Sequence, residues 1–240
     1  MLTKEGIIIR SNKYQESSKL IHVLSDDGIN TYLVRNANSY KSKNYSYSQE
    51  MTKISFDYAK KNSFETITSG KVLDNYTSIK TNQEKMFDLL EIFEIIYSLS
   101  SHVIDNKILY EFVSSILEKI ENDYHKYYLI VFKLKMLYLL GVSPSFSSCA
   151  TCGKSELYAF DKNAGRSFCK KCYHNTYDTI YGEEFEVFKF LYLCKMEYLN
   201  KEVLDKVPMF YDHLNDYIDE YYDLYLGYKS KSKKIITRIQ

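Results

Sequence analysis

No apolar run in this 240-residue chain approaches the roughly 18 residues a membrane-spanning helix requires; Ile92–Leu99 and Leu137–Val142 have core-helix lengths. Tryptophan is absent, prolines number two and glycines eight, and no low-complexity linker or internal repeat breaks the chain. The N-terminal Met1-Leu-Thr-Lys-Glu-Gly6 lacks the apolar core of a secretory signal, so the expected location is cytoplasmic, with no membrane partner. No His-x-Glu occurs, which removes the signature of a zinc deaminase. The five histidines (His22, His102, His125, His174, His213) are scattered, none at metal or triad spacing. Gly153-Lys154-Ser155 resembles the end of a P-loop, but Ser148 stands where its first glycine is needed. The carboxylate clusters Glu183-Glu184 and Asp216–Glu220 fall on predicted helix faces and read as solvated. These absences leave no active site, and the expectation is a protein that is not an enzyme.

What remains is an ordinary globular composition, 45% hydrophobic and 26% charged. Tyrosine is abundant, with 25 residues, and lysine is preferred over arginine, a pattern of codon bias in an AT-rich genome. The net charge of +1 conceals an asymmetry: residues 1–80 carry 12 basic against 8 acidic side chains, and the rest carry 20 against 23. The amino-terminal part is the better candidate for an anionic partner.

The strongest local signal is a pair of C-x-x-C motifs, Cys149-Ala-Thr-Cys152-Gly153 and Cys169-Lys-Lys-Cys172, sixteen residues apart. Each places two sulfurs on one turn, and a spacer of this length lets a hairpin bring the pairs together around one structural Zn2+. Gly153 suits a knuckle turn that needs positive φ. A redox pair leaves the second motif unexplained, two disulfides need an oxidising compartment, and a catalytic zinc keeps a position open that four thiolates close. His174 is an alternative fourth ligand, and Cys194, in an apolar stretch, reads as a buried helical thiol.

Up to about residue 78 the pattern is that of strands: Glu5–Ser11, Lys19–Leu24, Ile29–Ala37, Lys53–Tyr58 and Phe64–Leu73, with a turn at Ser25-Asp-Asp-Gly28 and a polar loop over Asn38–Ser48. Five short strands in about 75 residues suit a Greek-key barrel such as an OB-fold. The apolar period then becomes helical, over Asn82–Ser100, Ile108–Ile120, Tyr127–Leu140, Glu183–Leu199 and Met209–Gly227. The predicted fold class is α+β: an N-terminal five-stranded OB-fold barrel over 1–78, then an α-helical domain over 79–240 with a zinc-binding insert at 145–178.

Arg10, Lys13, Lys19, Arg35, Lys41 and Lys43 fall at strand ends and in the long loop, interleaved with Tyr14, Tyr32, Tyr40, Tyr45 and Tyr47. Cations that track phosphates beside rings that stack on bases are how OB-folds hold single strands. Lys162, Arg166, Lys170 and Lys171 on the cysteine segment, and the tail Lys229–Arg238, are two further basic patches.

Several strings, in this order of parts, resemble the RecO family of bacterial DNA-repair proteins. They are Glu5-Gly6-Ile7-Ile8, Tyr14-Gln-Glu16-Ser-Ser-Lys19-Leu20-Ile21 with Asp27-Gly28, and Ala37 with Lys41-Ser42. Lys133-Leu-Lys-Met-Leu137 through Pro144, and the two cysteine pairs with Phe160 and Gly165 between them, complete the set. The resemblance spans nearly the whole chain. It implies a recombination mediator of the RecF pathway that binds single- and double-stranded DNA and anneals complementary strands. It also implies work with RecR and single-stranded-DNA-binding protein so that RecA loads on gapped DNA, a structural zinc, and association with the nucleoid during repair. Arg35-Asn36-Ala37-Asn38 departs from the Gly-Ala-Arg-like stretch of the family: Asn36 and Asn38 replace a glycine and a basic residue. The competing class is a zinc-containing interaction adaptor that does not bind DNA directly.

Overall fold

The computed structural model describes residues 2–61 and 64–232. Five strands open the chain: β1 (Leu2–Tyr14), β2 (Ser18–Ser25), β3 (Gly28–Val34), β4 (Thr52–Lys61) and β5 (Phe64–Asp74). They close into a barrel in the order β1-β2-β3-β5-β4. β1 is long enough to serve both neighbours: its first half pairs with β4 (Ile7↔Lys53) and its second with β2 (Lys13↔Lys19), with a bulge between Ile8 and Arg10 that bends it. β3 closes the barrel by pairing parallel to β5 at Tyr32↔Glu65. This is the OB-fold expected.

Alternation puts Ile8, Ile21, Val23, Val34, Ile54, Phe56 and Ile67 inside, where they pack with Tyr32 and Tyr47. Burial of each such side chain stabilises the barrel by about 2 kcal/mol before the loss of entropy. Gly70 makes room for Tyr47, because a Cβ there would lie 2.7 Å from its ring. The third strand stops at Val34, three residues short of the expected Ala37, because Asn36 adopts φ 50° and turns the chain.

Beyond the barrel come α1 (Thr77–Thr81), α2 (Gln83–Leu99), α3 (Asn106–Asn122) and α4 (Tyr127–Leu139). Three short strands follow, β6 (Ala159–Asp161), β7 (Arg166–Phe168) and β8 (Thr179–Tyr181), and then α5 (Gly182–Leu193), α6 (Lys201–Leu204) and α7 (Tyr211–Leu226). The residues fall into two compact units: one runs through Leu89 and includes Ile95–Glu121, the other comprises Leu90–Glu94 and Asn122 onward. Among the described residues no helix is long and apolar enough to cross a membrane.

In the first unit α3 buries Leu109, Val113, Ile116, Leu117 and Ile120, a 3–4 spacing that forms one stripe. Its Glu121 carboxylate accepts the N–H groups of Ser78 and Ile79 at 2.8 and 2.9 Å, satisfying donors that the short α1 leaves open.

The second unit is built around α4, whose residues 127–134 are all buried. Lys133 is among them, 1% exposed, and its ammonium pairs with the buried Glu91 and with Asp219 (2.7 Å) while Asn215 accepts a further bond at 2.7 Å. A buried charge of this kind is tolerable only with such partners. The Asp216–Glu220 cluster, expected to be solvated, is therefore partly engaged: Asp219 holds Lys133 and Glu220 holds the buried Lys162. Glu184 likewise pairs with His213 at 2.5 Å. The sheet β7-β6-β8 rests on Phe160, whose ring lies 5.2 Å from Phe188 and 5.7 Å from Phe146. Helix α5 ends at Leu193, not Leu199: Leu193 is exposed, so packing no longer supports the helix, and Cys194 turns extended. Asn200 then caps α6 by accepting the Val203 N–H at 2.9 Å. Cys194 is thus a half-buried residue at a helix end, not the buried helical thiol expected.

Candidate metal centre and nucleic-acid face

Two backbone turns build the cysteine cluster. The Cys149 N–H donates to the Lys154 carbonyl at 2.8 Å and the Gly153 N–H to the Cys149 carbonyl at 2.9 Å, closing the first knuckle with Gly153 at φ +73°. In the second, which follows β7 directly, the N–H groups of Cys172 and Tyr173 both donate to the Cys169 carbonyl, at 3.0 and 3.1 Å. The hairpin β6–β7 brings the turns together, and the four sulfurs lie within 4.8 Å of one another. The Cys152 and Cys169 sulfurs are 3.7 Å apart, and a tetrahedral ion bound at about 2.3 Å to each sulfur needs an edge of about 3.8 Å.

The thiols of the set are close enough to shift one another's protonation. Backbone N–H groups of Cys169 and Cys152 hold the Cys149 thiol down at about 6, while the thiols of Cys169 and Cys152 push Cys172 up to about 12. Cys149, Cys152, Cys169 and Cys172 would be deprotonated together if they held a divalent ion, because a coordinating thiol loses its proton. Cys149, Cys152, Cys169 and Cys172 form the group that can hold a metal; His174, the alternative ligand, is not part of it. Four sulfur ligands would fill the coordination shell of a tetrahedral ion.

Of the basic residues singled out in the barrel, Lys13 and Lys19 flank the turn after β1, and Arg35, Lys41 and Lys43 lie on the loop after β3. The two segments are pinned together: the N–H groups of Ala37 and Asn38 donate to the Ser17 carbonyl at 2.7 and 3.1 Å, and the Asn38 amide donates to the Glu16 carbonyl at 3.0 Å. Asn44 closes the loop on itself by donating to the Arg35 carbonyl at 2.8 Å. The two asparagines that depart from the family pattern thereby acquire roles. Asn36 takes the left-handed conformation a glycine adopts freely, and Asn38 is a structural clip.

Lys13 and Lys19 sit opposite each other on β1 and β2. Lys19 is half-buried, its ammonium 5.0 Å from the Tyr45 ring, and burial lowers its pKa against the pull of Glu50 and with the help of Lys13. Arg35, Lys41 and Lys43 are exposed, as is Tyr40 at 77%, with the Lys41 ammonium 5.9 Å from its ring. Arg10 is committed differently, its guanidinium 4.8 Å from the ring of Tyr97 on α2. Tyr32 and Tyr47, expected among the rings available to bases, are spent in the core at 1% and 5% exposure. Two residues the sequence reading passed over belong to this end: Phe64, 5.6 Å edge-on to Tyr14, and the exposed Lys60. The doublet Lys60-Lys61 beside the β4–β5 connection was the available signal, since OB-folds bind through the β1–β2 and β4–β5 loops. The basic tail from Lys233 onward lies outside the described residues.

Comparison with known proteins gives a consistent answer. The family model described as Recombination protein O N terminal matches residues 1–76, and that described as Recombination protein O C terminal matches residues 80–234. A protein called DNA repair protein RecO from Listeria monocytogenes serotype 4b (strain CLIP80459) is 27% identical over 240 residues, covering 98% of this chain and 93% of its own. Those of Caldanaerobacter subterraneus subsp. tengcongensis and Oceanobacillus iheyensis are each 26% identical, covering 99% and 100% of this chain and 98% and 94% of their own.

Proposed function

The chain belongs to the Recombination protein O family, with a role in DNA repair and recombination, and from that premise we propose that it binds single-stranded DNA across the pinned end of its barrel and anneals complementary strands. The observation that carries this is the clip from the loop after β3, which bears Arg35, Tyr40, Lys41 and Lys43, to the turn after β1, which Lys13 and Lys19 flank. Cations on the phosphates and a ring beneath a base hold a strand while leaving its pairing edges outward. Neutralised phosphates also lower the repulsion a second strand meets, and that is the physical basis of annealing. Arg10 is the weakest member of the set because its charge is already engaged.

In this reading the protein acts stoichiometrically, not by turnover, in the cytoplasm and on the nucleoid during repair. It binds double-stranded DNA as well, and it works with RecR and single-stranded-DNA-binding protein so that RecA replaces the latter on gapped DNA. The bound metal is one Zn2+, whose chemistry is structural: it would tie the two knuckles of Cys149, Cys152, Cys169 and Cys172.

The test is fluorescence anisotropy with a labelled oligothymidylate across a salt series, comparing the wild type with a triple variant Arg35→Glu, Lys41→Glu, Lys43→Glu. The expected wild-type affinity falls steeply with salt. Each phosphate contact adds about 0.7 to the log–log slope, so loss of three contacts lowers it by about 2. Equal binding by the two proteins would refute the assignment to this loop. Absence of DNA binding by the wild type at low salt would favour the interaction-adaptor reading.

A further inference from the structure

We propose that the cleft beside the first cysteine knuckle is a second nucleic-acid contact, taking one nucleotide of a single strand with its phosphate on Arg166 and its base against Tyr225. The cleft encloses about 590 Å3 between the segment 141–150, the turn 164–166 and the end of α7, a volume in the range of small-ligand sites. No carboxylate lines it. Its contributors are one arginine, four serines between 143 and 148, and the rings of Tyr221 and Tyr225.

Arg166 has no carboxylate partner among the described residues, and the reason lies in the sheet. Asp161, its partner across β6 and β7, turns its carboxylate onto the N–H groups of Asn163 and Ala164 at 2.8 and 3.0 Å. The charge of Arg166 is left exposed on the rim. The rings are held in advance: Tyr221 and Tyr225 stack with centroids 4.3 Å apart at 28°. Their hydroxyls donate to the carbonyls of Val142 and Asn163, at 3.0 Å each, tying the pair to both rims. Gly165, at φ +63°, allows the turn to lie on Tyr225, for a Cβ there would come within 2.9 Å of its hydroxyl. A fixed ring beside an unneutralised guanidinium is the pairing that single-strand sites use, and serine hydroxyls supply uncharged donors for the remaining phosphate oxygens.

A second cleft among the described residues of this unit has the opposite character. It encloses about 320 Å3 and is lined by Asp216, Asp219 and Glu220, with Lys162 already paired to Asp178 and Glu220. An anionic strand is directed to the Arg166 side.

This inference rests on the reading that the chain binds single-stranded DNA, and the experiment separates the two. The full-length, metal-loaded protein is photocrosslinked to a short oligothymidylate carrying 5-iodouracil, and crosslinked peptides are mapped by mass spectrometry. A crosslink on the peptide containing Tyr225 is expected, and it should survive in the barrel triple variant when protein is in excess. Tyr225→Leu and Arg166→Gln should each lower its yield about tenfold, the scale of one stacking or charged contact, with metal content unchanged and the far-ultraviolet circular dichroism that of the wild type. Crosslinks confined to residues 1–76, or equal yields from both variants and the wild type, would overturn the proposal. So would Arg166-dependent binding of an acidic peptide with no crosslink at the cleft, which would make it a protein-docking site. A surviving cleft crosslink beside unchanged affinity of the barrel variant would refute the barrel reading alone.

Discussion

The sulfurs of Cys152 and Cys169 lie 3.7 Å apart although sixteen residues separate them in the chain. Their two knuckles are joined by the β6–β7 hairpin and by no disulfide, so a metal ion is the natural closure of the set. Treatment with a chelator, or Cys149→Ser, should release the bound metal and open the β7-β6-β8 sheet to hydrogen exchange, since structural-metal binding energy is folding energy. The strands β1–β5 should keep their protection. Unchanged exchange in Ala159–Asp161 after complete metal loss would show that the sheet stands without it.

Lys133 is a buried charge on whose pairing the second unit depends. Lys133→Ala leaves the buried Glu91 carboxylate without its cation, a loss expected to cost about 3–5 kcal/mol. Asp219→Asn should cost less, because Asp219 is 27% exposed and water can replace part of the contact. Urea denaturation followed by hydrogen exchange in α4 measures both, and an Ala variant as stable as the wild type would contradict the assignment.

Asn38 should matter to the barrel loop more than its uncharged side chain suggests. Asn38→Ala removes one hydrogen bond to Glu16, worth about 1 kcal/mol, and loosens the loop that carries Lys41 and Lys43, which the backbone bonds to Ser17 still hold. The expected outcome is weaker binding of oligothymidylate with little change in the salt slope, because the charges remain. Asn36→Gly should be nearly neutral, whereas Asn36→Val places a β-branched residue at φ 50° and should destabilise the loop.

His22 is expected to lower the stability of the first unit in mild acid. Burial, and then the charge of Arg10, lowers its pKa below the ordinary 6.5, and Thr31 lies 3.0 Å from its Nδ1. A depressed value means the unfolded chain binds the proton first, so stability is complete above 6.5 and is lost as pH falls through the folded value. The protection factors of β2, corrected for the intrinsic slowing of exchange in acid, should fall as pH drops below 6.5, and His22→Gln should remove most of that dependence.

Much of this protein is legible in the chain because the signals are local. Strand alternation, the change to a helical period after residue 78, and sulfurs two residues apart on one turn all act within a few residues of backbone. What escaped the reading depends on closure. Tyr32 and Tyr47 look like the other tyrosines of their region until the barrel shuts and takes them inside. Helix α5 ends where packing on Leu193 ends, not where its apolar period does.

The sequence by itself determined the elements, the cysteine quartet and the basic bias of the barrel region. Only the tertiary structure decided which charges are available, because pairing acts through space between residues far apart in the chain. Glu91 and Asp219 quench Lys133, Glu220 and Asp178 quench Lys162, and the turn onto which Asp161 folds leaves Arg166 exposed beside Tyr225.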